Sequence, residues 1–290
     1  MSEKNDCATS QEAAFWNDEG GKMWTSNMED THKLLAPLSE QLLGRAAATM
    51  GETVLDVGCG GGPTTIKLAE QVGDSGKVVG IDISEMILAM AKRQSGIPTH
   101  LSFKLCNAAS ADLGIGVYDL IFSRFGIMFF EDPKAAFKNL RKALKADGRL
   151  VAMCWRTPPE NPWIARSVAA AAEILSPGEP ANFSVKKEKP DPRAPGPFAF
   201  ADPDWVREIL EASGFSNVNL EPLDMKMPMG KMSDAVAYMM GMGSAAAEIA
   251  SAAEEQRAAI AAAIRDAFTE YDTDDGVMGP CATWIISARG

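Results

Sequence analysis

Histidine is nearly missing from this sequence, with two residues in 290, and cysteine is sparse and scattered, with five. Cys7, Cys59, Cys106, Cys154 and Cys281 form no CxxC pair and no metal-ligand spacing. That excludes the common cysteine zinc sites and points to free thiols in a reducing cytoplasm, with no bound metal. No apolar run reaches the about 18 residues needed to cross a bilayer. The opening segment, MSEKNDCATSQEAAFW, has no apolar stretch of the secretory kind. Positive charge is also in deficit, with 28 Lys and Arg against 39 Asp and Glu, a net charge of -11. Nucleic-acid binding calls for a basic face that exchanges counterions with phosphate. The KKEK run at 186–189 is too short to supply one and reads as a solvated loop. The same acidity argues against an anionic membrane surface. The expectation is a cytoplasmic protein with neither a nucleic-acid nor a membrane partner.

What is present is an ordinary globular composition, 46% hydrophobic and 23% charged. The length suits one large α/β domain, or a core domain with a cap. Residues 1–30 are polar but carry Phe15, Trp16 and Trp24, aromatics that would be poorly placed in free coil. They are expected to pack over the domain. Residues 31–49 read as a helix. A regular alternation then begins. Strands are expected at Thr53–Val57, Lys77–Ile83, Ser102–Cys106, Tyr118–Ser123 and Arg149–Trp155. Helices fall near Thr64–Val72, from Ser84 to Gln94, and at Pro133–Leu144, with Asp132 as cap and Pro133 at the first helical position. Asp147-Gly148 reads as the turn into the fifth strand. Such alternation predicts a largely parallel sheet with helices on both faces. Beyond residue 156 the chain is richer in proline and then in Met and Ala. Helices are expected at Trp163–Leu175, at Pro203–Ser213 and across 225–275, and strands near Asn217–Leu223 and Thr283–Ala288.

The strongest chemical signal is VLDVGCGGG at 54–62. An apolar strand runs directly into Gly58, Gly60, Gly61 and Gly62, and a helix follows. Glycine lets such a turn be sharp and lets a ligand lie against the backbone. The carboxyl end of a strand is where open α/β sheets bind ligands. Asp82 closes the second strand in VVGIDIS and can accept hydrogen bonds from both hydroxyls of a ribose. A dinucleotide fingerprint would place its third glycine at position 63, which is Pro. Asp56 would repel a pyrophosphate but suits a cation.

VLDVGCGGG, VVGIDIS, YDLIFSR and LKADGRLV, in this order and spacing, resemble the motif series of class I S-adenosylmethionine-dependent methyltransferases. FADPDWVREILEASGF at 200–215 and the final strand extend the resemblance to small-molecule members of the ubiquinone/menaquinone C-methyltransferase-like group. The resemblance implies a doubly wound, Rossmann-like, mostly parallel seven-stranded sheet with an antiparallel last strand and a helical cap. It divides the chain into an N-terminal helical segment (1–50) covering the site, a cofactor-binding core (51–156), a cap (157–200 and 225–275) and the rest of the sheet (201–224 and 276–290). It implies S-adenosylmethionine as cofactor, with Asp56, Gly58 and Gly60 at the methionyl end. Asp82 would take the ribose and Ile83 would lie against the adenine. Asn107 would meet the adenine edge through its side chain and Ala108 through its amide. Ser123 would lie beside the sulfonium. Many relatives have Asp where Asn107 stands; an amide oxygen can still accept from the adenine amino group.

The acceptor side is less legible. Methyl transfer needs mainly proximity and a dry site, and a base only when the acceptor must lose a proton. His32, Arg124 and Tyr238 are the candidates for chemistry. His100 reads as an edge residue. Arg124 either pairs with an acceptor carboxylate or with a neighbouring acid. Trp16, Trp24, Phe125, Trp155, Met239 and Met240 are pocket candidates, each with plain packing as the alternative; so are Met128, Phe129 and Phe130. Seven methionines within 225–242 suit an adaptable apolar surface or ordinary helix core. Arsenite methylation would need gathered thiols, which the five cysteines do not supply. A small-molecule methyltransferase is the leading reading. A non-catalytic S-adenosylmethionine-binding protein and a nicotinamide-dependent oxidoreductase are the alternatives, and a homodimer is left open.

Overall fold

A computed structural model describes residues 10–178, 191–243 and 245–290. Cys7 and the 186–189 run lie outside these residues. Five parallel strands form first: β1 (Thr53–Val57), β2 (Lys77–Asp82), β3 (Leu101–Leu105), β4 (Tyr118–Arg124) and β5 (Leu144–Trp155). Two more complete the sheet, β6 (Ser216–Pro228) and β8 (Gly276–Arg289), after a two-residue strand, β7 (Asp272–Thr273), that pairs only with β8. The spatial order is β3-β2-β1-β4-β5-β8-β6, and β8 runs antiparallel to both β5 and β6. This is the mostly parallel seven-stranded sheet with a reversed last strand that the motifs implied.

The central strands are buried almost end to end, as strands with helices on both faces must be. On one side α3 (Met28–Ala46) touches α4 (Pro63–Val72); on the other α6 (Pro133–Ala143) touches α8 (Pro203–Ala212). In α3 the buried positions are 31, 34, 35, 38, 39, 42, 43 and 46, a helical stripe that lays Leu38 and Leu42 wholly into the core. Asp132 caps α6 by accepting from the Ala135 N–H. Ser84 caps α5 (Glu85–Lys92) through the Ile87 N–H.

Two readings change. The sequence suggested a turn at Asp147-Gly148, but both residues lie inside β5, which starts at Leu144 and slips register against β4 between Tyr118 and Leu120. Helix was expected from residue 225, yet β6 runs on to Pro228. Met225 is half-buried, Lys226 exposed, Met227 fully buried and Pro228 exposed. This is the period of two that a sheet imposes, and pairing with Pro280 and Cys281 of β8 overrides the helical preference of methionine. Helix follows only at α9 (Met232–Gly241), α10 (Ala246–Ser251) and α11 (Glu254–Phe268); α10 and α11 pack with α7 (Pro162–Leu175), and α9 packs on both of them.

The N-terminal helices α1 (Gln11–Trp16) and α2 (Glu19–Ser26) lie over the carboxyl end of β2. The Ser84 hydroxyl donates to the Trp16 carbonyl at 2.6 Å. Asn17 donates to the Ile83 carbonyl and accepts from the Glu85 N–H. Strand order reverses between β1 and β4, so their crossovers leave to opposite sides and open a crevice at the carboxyl edge. Among the described residues no helix is long and apolar enough to cross a membrane.

Candidate active site

The carboxyl ends of β1, β2, β3 and β4 meet at one cavity of about 340 Å³. The turn after β1 makes its floor. The Gly58 and Cys59 N–H groups both donate to the Ile81 carbonyl, which ties the turn to β2. Gly58, Gly60 and Gly62 all have positive φ, at 66°, 56° and 83°. A Cβ on Gly58 would come within 2.7 Å of the Gly126 Cα, so the loop after β1 and the loop after β4 touch backbone to backbone. Gly126, which the sequence reading passed over, allows that contact. Its signal was the FG pair directly after β4.

Asp82 ends β2 and holds this edge together. Its Oδ2 accepts from the Gly60 N–H at 2.8 Å and its Oδ1 from the Ser84 N–H at 2.9 Å. Burial raises its pKa, against those backbone donors. A carboxylate offers about four acceptor positions, so two remain for a ligand. Ile83 and Ile87 extend this wall, and Asn107 and Ala108 close it after β3. The Asn107 Oδ1 already accepts from the Ala109 N–H at 2.9 Å, which commits one of its lone pairs to the local turn. Trp24 roofs the loop, its Nε1 buried without a partner and about 3.7 Å from where a Gly60 Cβ would stand.

Asp56 and Ser123 are placed differently from the expected direct contacts. Neither lines the cavity. The Ser123 hydroxyl is fully buried and donates to the Val57 carbonyl at 2.7 Å, bracing β4 against β1. Asp56 lies beneath the loop, its Oδ2 accepting from the Thr64 and Thr65 hydroxyls. Its Oδ1 is buried with no partner. Burial pushes its pKa up to about 6, against the two hydroxyls and the more distant Arg124 charge.

The sign of that shift yields a test. A folded-state pKa above the unfolded value favours folding while the group is protonated. The contribution is complete below about 3.8 and lost as pH rises through about 6. Relative to Asp56→Asn, the wild type should lose about 2.4 kcal/mol of unfolding free energy between pH 4 and pH 7, most of the full shift at 1.36 kcal/mol per pKa unit. Urea denaturation of both proteins at the two pH values measures it. A constant difference between them would show that Asp56 does not carry this burden.

The rest of the cavity is apolar. Phe125 stacks on Trp155 with centroids 4.2 Å apart and planes 14° from parallel. Phe125 has φ of 62°, a conformation strained for a bulky side chain. Its N–H donates to the Met153 carbonyl, so β5 holds it there. Trp163 and Val168 of α7, and Met239 and Met242 around the end of α9, form the facing wall. Trp16 packs edge-on against Phe129 and Trp24. Of the pocket candidates named from sequence, Trp16, Trp24, Phe125, Met128, Phe129, Phe130, Trp155 and Met239 line the cavity and Met240 does not. Trp163 and Gly126 do and were not named as pocket residues, and Met242 does, having been read only as one of the seven methionines of 225–242.

The three candidates for chemistry converge from separate elements. Arg124 ends β4 and Tyr238 lies on α9, and both line the cavity. The Tyr238 hydroxyl pairs with that of Thr31 at 3.1 Å, and burial pushes its pKa up to about 12. His32 sits behind the loop, its ring against Gly61 and its Nε2 without a partner. Burial, and then Arg124, lower its pKa to about 4, so it is neutral at ordinary pH. His100 instead meets the Ala69 carbonyl and Asp74 at the edge of β3. Among the described residues no group of His, Cys, Asp and Glu could hold a metal ion.

Residues 48–182 match the family model of a methyltransferase domain. The demethylmenaquinone methyltransferase of Staphylococcus saprophyticus is 28% identical over 171 residues, 59% of this chain and 72% of that protein. The ubiquinone/menaquinone biosynthesis C-methyltransferase of Shewanella frigidimarina is 34% identical over 116 residues, 39% of this chain and 46% of that protein. Among solved structures, phosphoethanolamine N-methyltransferase 2 of Haemonchus contortus with S-adenosyl-L-methionine is similar in fold. Its TM-score is 0.60 at 14% identity, over 97% of this chain and 60% of that one. A putative methyltransferase of Bacillus halodurans gives a TM-score of 0.55 at 17% identity, over 87% and 97%.

Proposed function

We propose, from the premise that this chain is a class I S-adenosylmethionine-dependent methyltransferase, that its acceptor is a small molecule with a largely apolar body held between β5, α7 and α9. The observation that carries this reading is one cavity with two unlike halves. Gly58, Gly60, Asp82 and the Asn107-Ala108 turn line one half; Phe125, Trp155, Val168 and Met239 line the other. The first half fits a nucleoside with a cationic side chain. Asp82 has acceptor positions to spare, the Trp24 Nε1 lacks a partner, and the unpaired Oδ1 of Asp56 sets negative potential under the loop.

S-adenosylmethionine, when bound, supplies a methyl group on a sulfonium, whose departure as a thioether needs no help from a protein acid. In this reading Asp82 takes the ribose hydroxyls, Ile83 and Ile87 sandwich the adenine, and Asn107 and Ala108 meet its edge. Gly58 and Gly60 leave room for the methionyl chain over the charge of Asp56. Ser123 acts one layer back, holding β4 to β1 so that the loops after both strands keep their spacing. The aromatic wall and the N-terminal helices exclude water, and the reaction gains mostly from alignment in that dry space. The names of the relatives support an acceptor with an apolar ring body. Calorimetry with S-adenosylhomocysteine, NAD and NADP, followed by methyl-labelled cofactor with cell extract, tests this. Nicotinamide binding, or binding without labelled product, would replace it with an oxidoreductase or with a non-catalytic binder.

Residues 162–175 and 232–268 then act as a cap over the acceptor. Met239→Ala should raise the acceptor's KM about tenfold, the scale of a truncated apolar pocket contact. Affinity for S-adenosylhomocysteine should stay within about twofold. A fall in melting temperature with unchanged KM would make Met239 scaffold only.

A further inference from the structure

We propose that the methyl acceptor is an anion, an apolar and largely aromatic body bearing a carboxylate or phenolate oxygen, and that Arg124 receives that oxygen. This rests on the methyltransferase reading. Arg124 is the last residue of β4, and a guanidinium carries five N–H donors in a rigid fork. Among the described residues one of them meets a polar partner, with Nη1 donating to the Ser39 hydroxyl at 2.7 Å. That hydroxyl is itself committed to the Leu35 carbonyl. The Arg124 Nε is buried with no partner.

No carboxylate among the described residues forms an ion pair with this arginine. Asp56 is near enough to be felt but is turned to Thr64 and Thr65. Tyr238 and His32, which also feel its charge, are both neutral. Burial lowers the arginine's pKa only to about 10, so it remains a cation. A buried cation with no carboxylate in direct contact is costly, and the cost is offset when a ligand places a negative charge against it.

The surroundings define the rest of that ligand. The Phe125-Trp155 stack, Trp163, Val168 and Met239 offer flat, apolar contact and no competing cation. Of the acids of the cavity wall, Glu12 lies on α1, Glu131 and Asp132 lie before α6, and Asp82 ends β2 with its oxygens accepting from the Gly60 and Ser84 N–H groups; none of them forms an ion pair with Arg124. An acceptor oxygen that arrives ionised needs no general base. His32 stands behind the glycine loop and does not line the cavity.

The test compares 2-naphthoate with its near-isostere 2-naphthamide, titrated by calorimetry into the protein saturated with S-adenosylhomocysteine. Wild type should bind the carboxylate at least about tenfold more tightly, about 1.4 kcal/mol. Arg124→Met should erase that preference and keep S-adenosylhomocysteine affinity within about twofold, while Arg124→Lys should restore part of it. The wild-type ratio decides even if the methionine variant does not fold. Equal binding of the two probes, or binding of neither, would overturn the proposal. So would an Arg124→Met protein that keeps the preference but binds S-adenosylhomocysteine at least about tenfold more weakly. That result would assign the arginine to the cofactor's own carboxylate. Failure of wild type to bind S-adenosylhomocysteine would instead remove the methyltransferase reading, and this proposal with it.

Discussion

Gly58→Val should leave a protein that binds no measurable S-adenosylmethionine. The residue has φ of 66°, and its N–H is tied to the Ile81 carbonyl, so the backbone cannot turn away without freeing β1 from β2. A β-branched side chain in that conformation is strained by about 1–3 kcal/mol. The added Cβ would also stand 2.7 Å from the Cα of Gly126, a backbone atom with no rotamer to yield. Relief must come from pushing the loops after β1 and β4 apart, and those loops carry Gly60 on one side and Phe125 on the other. Calorimetry with S-adenosylhomocysteine and a thermal melt measure both consequences. Gly44→Ala is the control, because a Cβ there, in the last turn of α3, meets nothing within 4 Å. A folded Gly58→Val protein with normal affinity would mean that the glycine loop is not where the ligand lies.

The second large effect is expected from Asp82→Ala. Two ribose hydroxyls on one carboxylate are charge-assisted bonds, each about 1.5–3 kcal/mol. Their loss should weaken S-adenosylhomocysteine binding by at least about 100-fold, at about 1.4 kcal/mol per factor of ten. The same change strips the Gly60 and Ser84 N–H groups of their acceptor. The loop therefore loosens as well as losing its ligand contact. Asp82→Asn separates the two contributions. Its amide oxygen can serve one backbone N–H, so it should fold like wild type and bind with intermediate affinity. Unchanged affinity in a folded Asp82→Ala protein would move the ribose elsewhere.

The sheet was legible because its signals are local. Apolar runs such as Val78–Ile81 and Leu120–Phe122 can be satisfied only inside a layered α/β core, and Ser84 and Asp132 announce helix starts by their own side chains. Met225–Pro228 went the other way. Met and Lys favour helix in isolation, but β8 offered ladder hydrogen bonds along the whole segment. In the site, Gly58, Gly60, Asp82 and the Asn107-Ala108 turn could be found because each directly follows its strand or closes it. Met242, Trp163 and Gly126 could not be singled out so easily, since nothing in an isolated Met or Trp tells whether it faces a cavity or another helix.

The sequence by itself determined the order of strands and helices, the glycine turn with its acid one strand away, and the kind of cofactor such a turn admits. These depend on backbone freedom and on residues within about 30 positions of one another. Only the tertiary structure decided what each polar side chain is paired with. Asp56 and Ser123 sit at strand ends as the motifs imply, yet Thr64, Thr65 and the Val57 carbonyl turn them inward. Arg124 looked equally ready to meet an acid of its own chain. Folding brought it Ser39, from 85 residues away, in place of a carboxylate. Pairing of charges is a matter of distances set by packing across the whole chain, and no local pattern carries them.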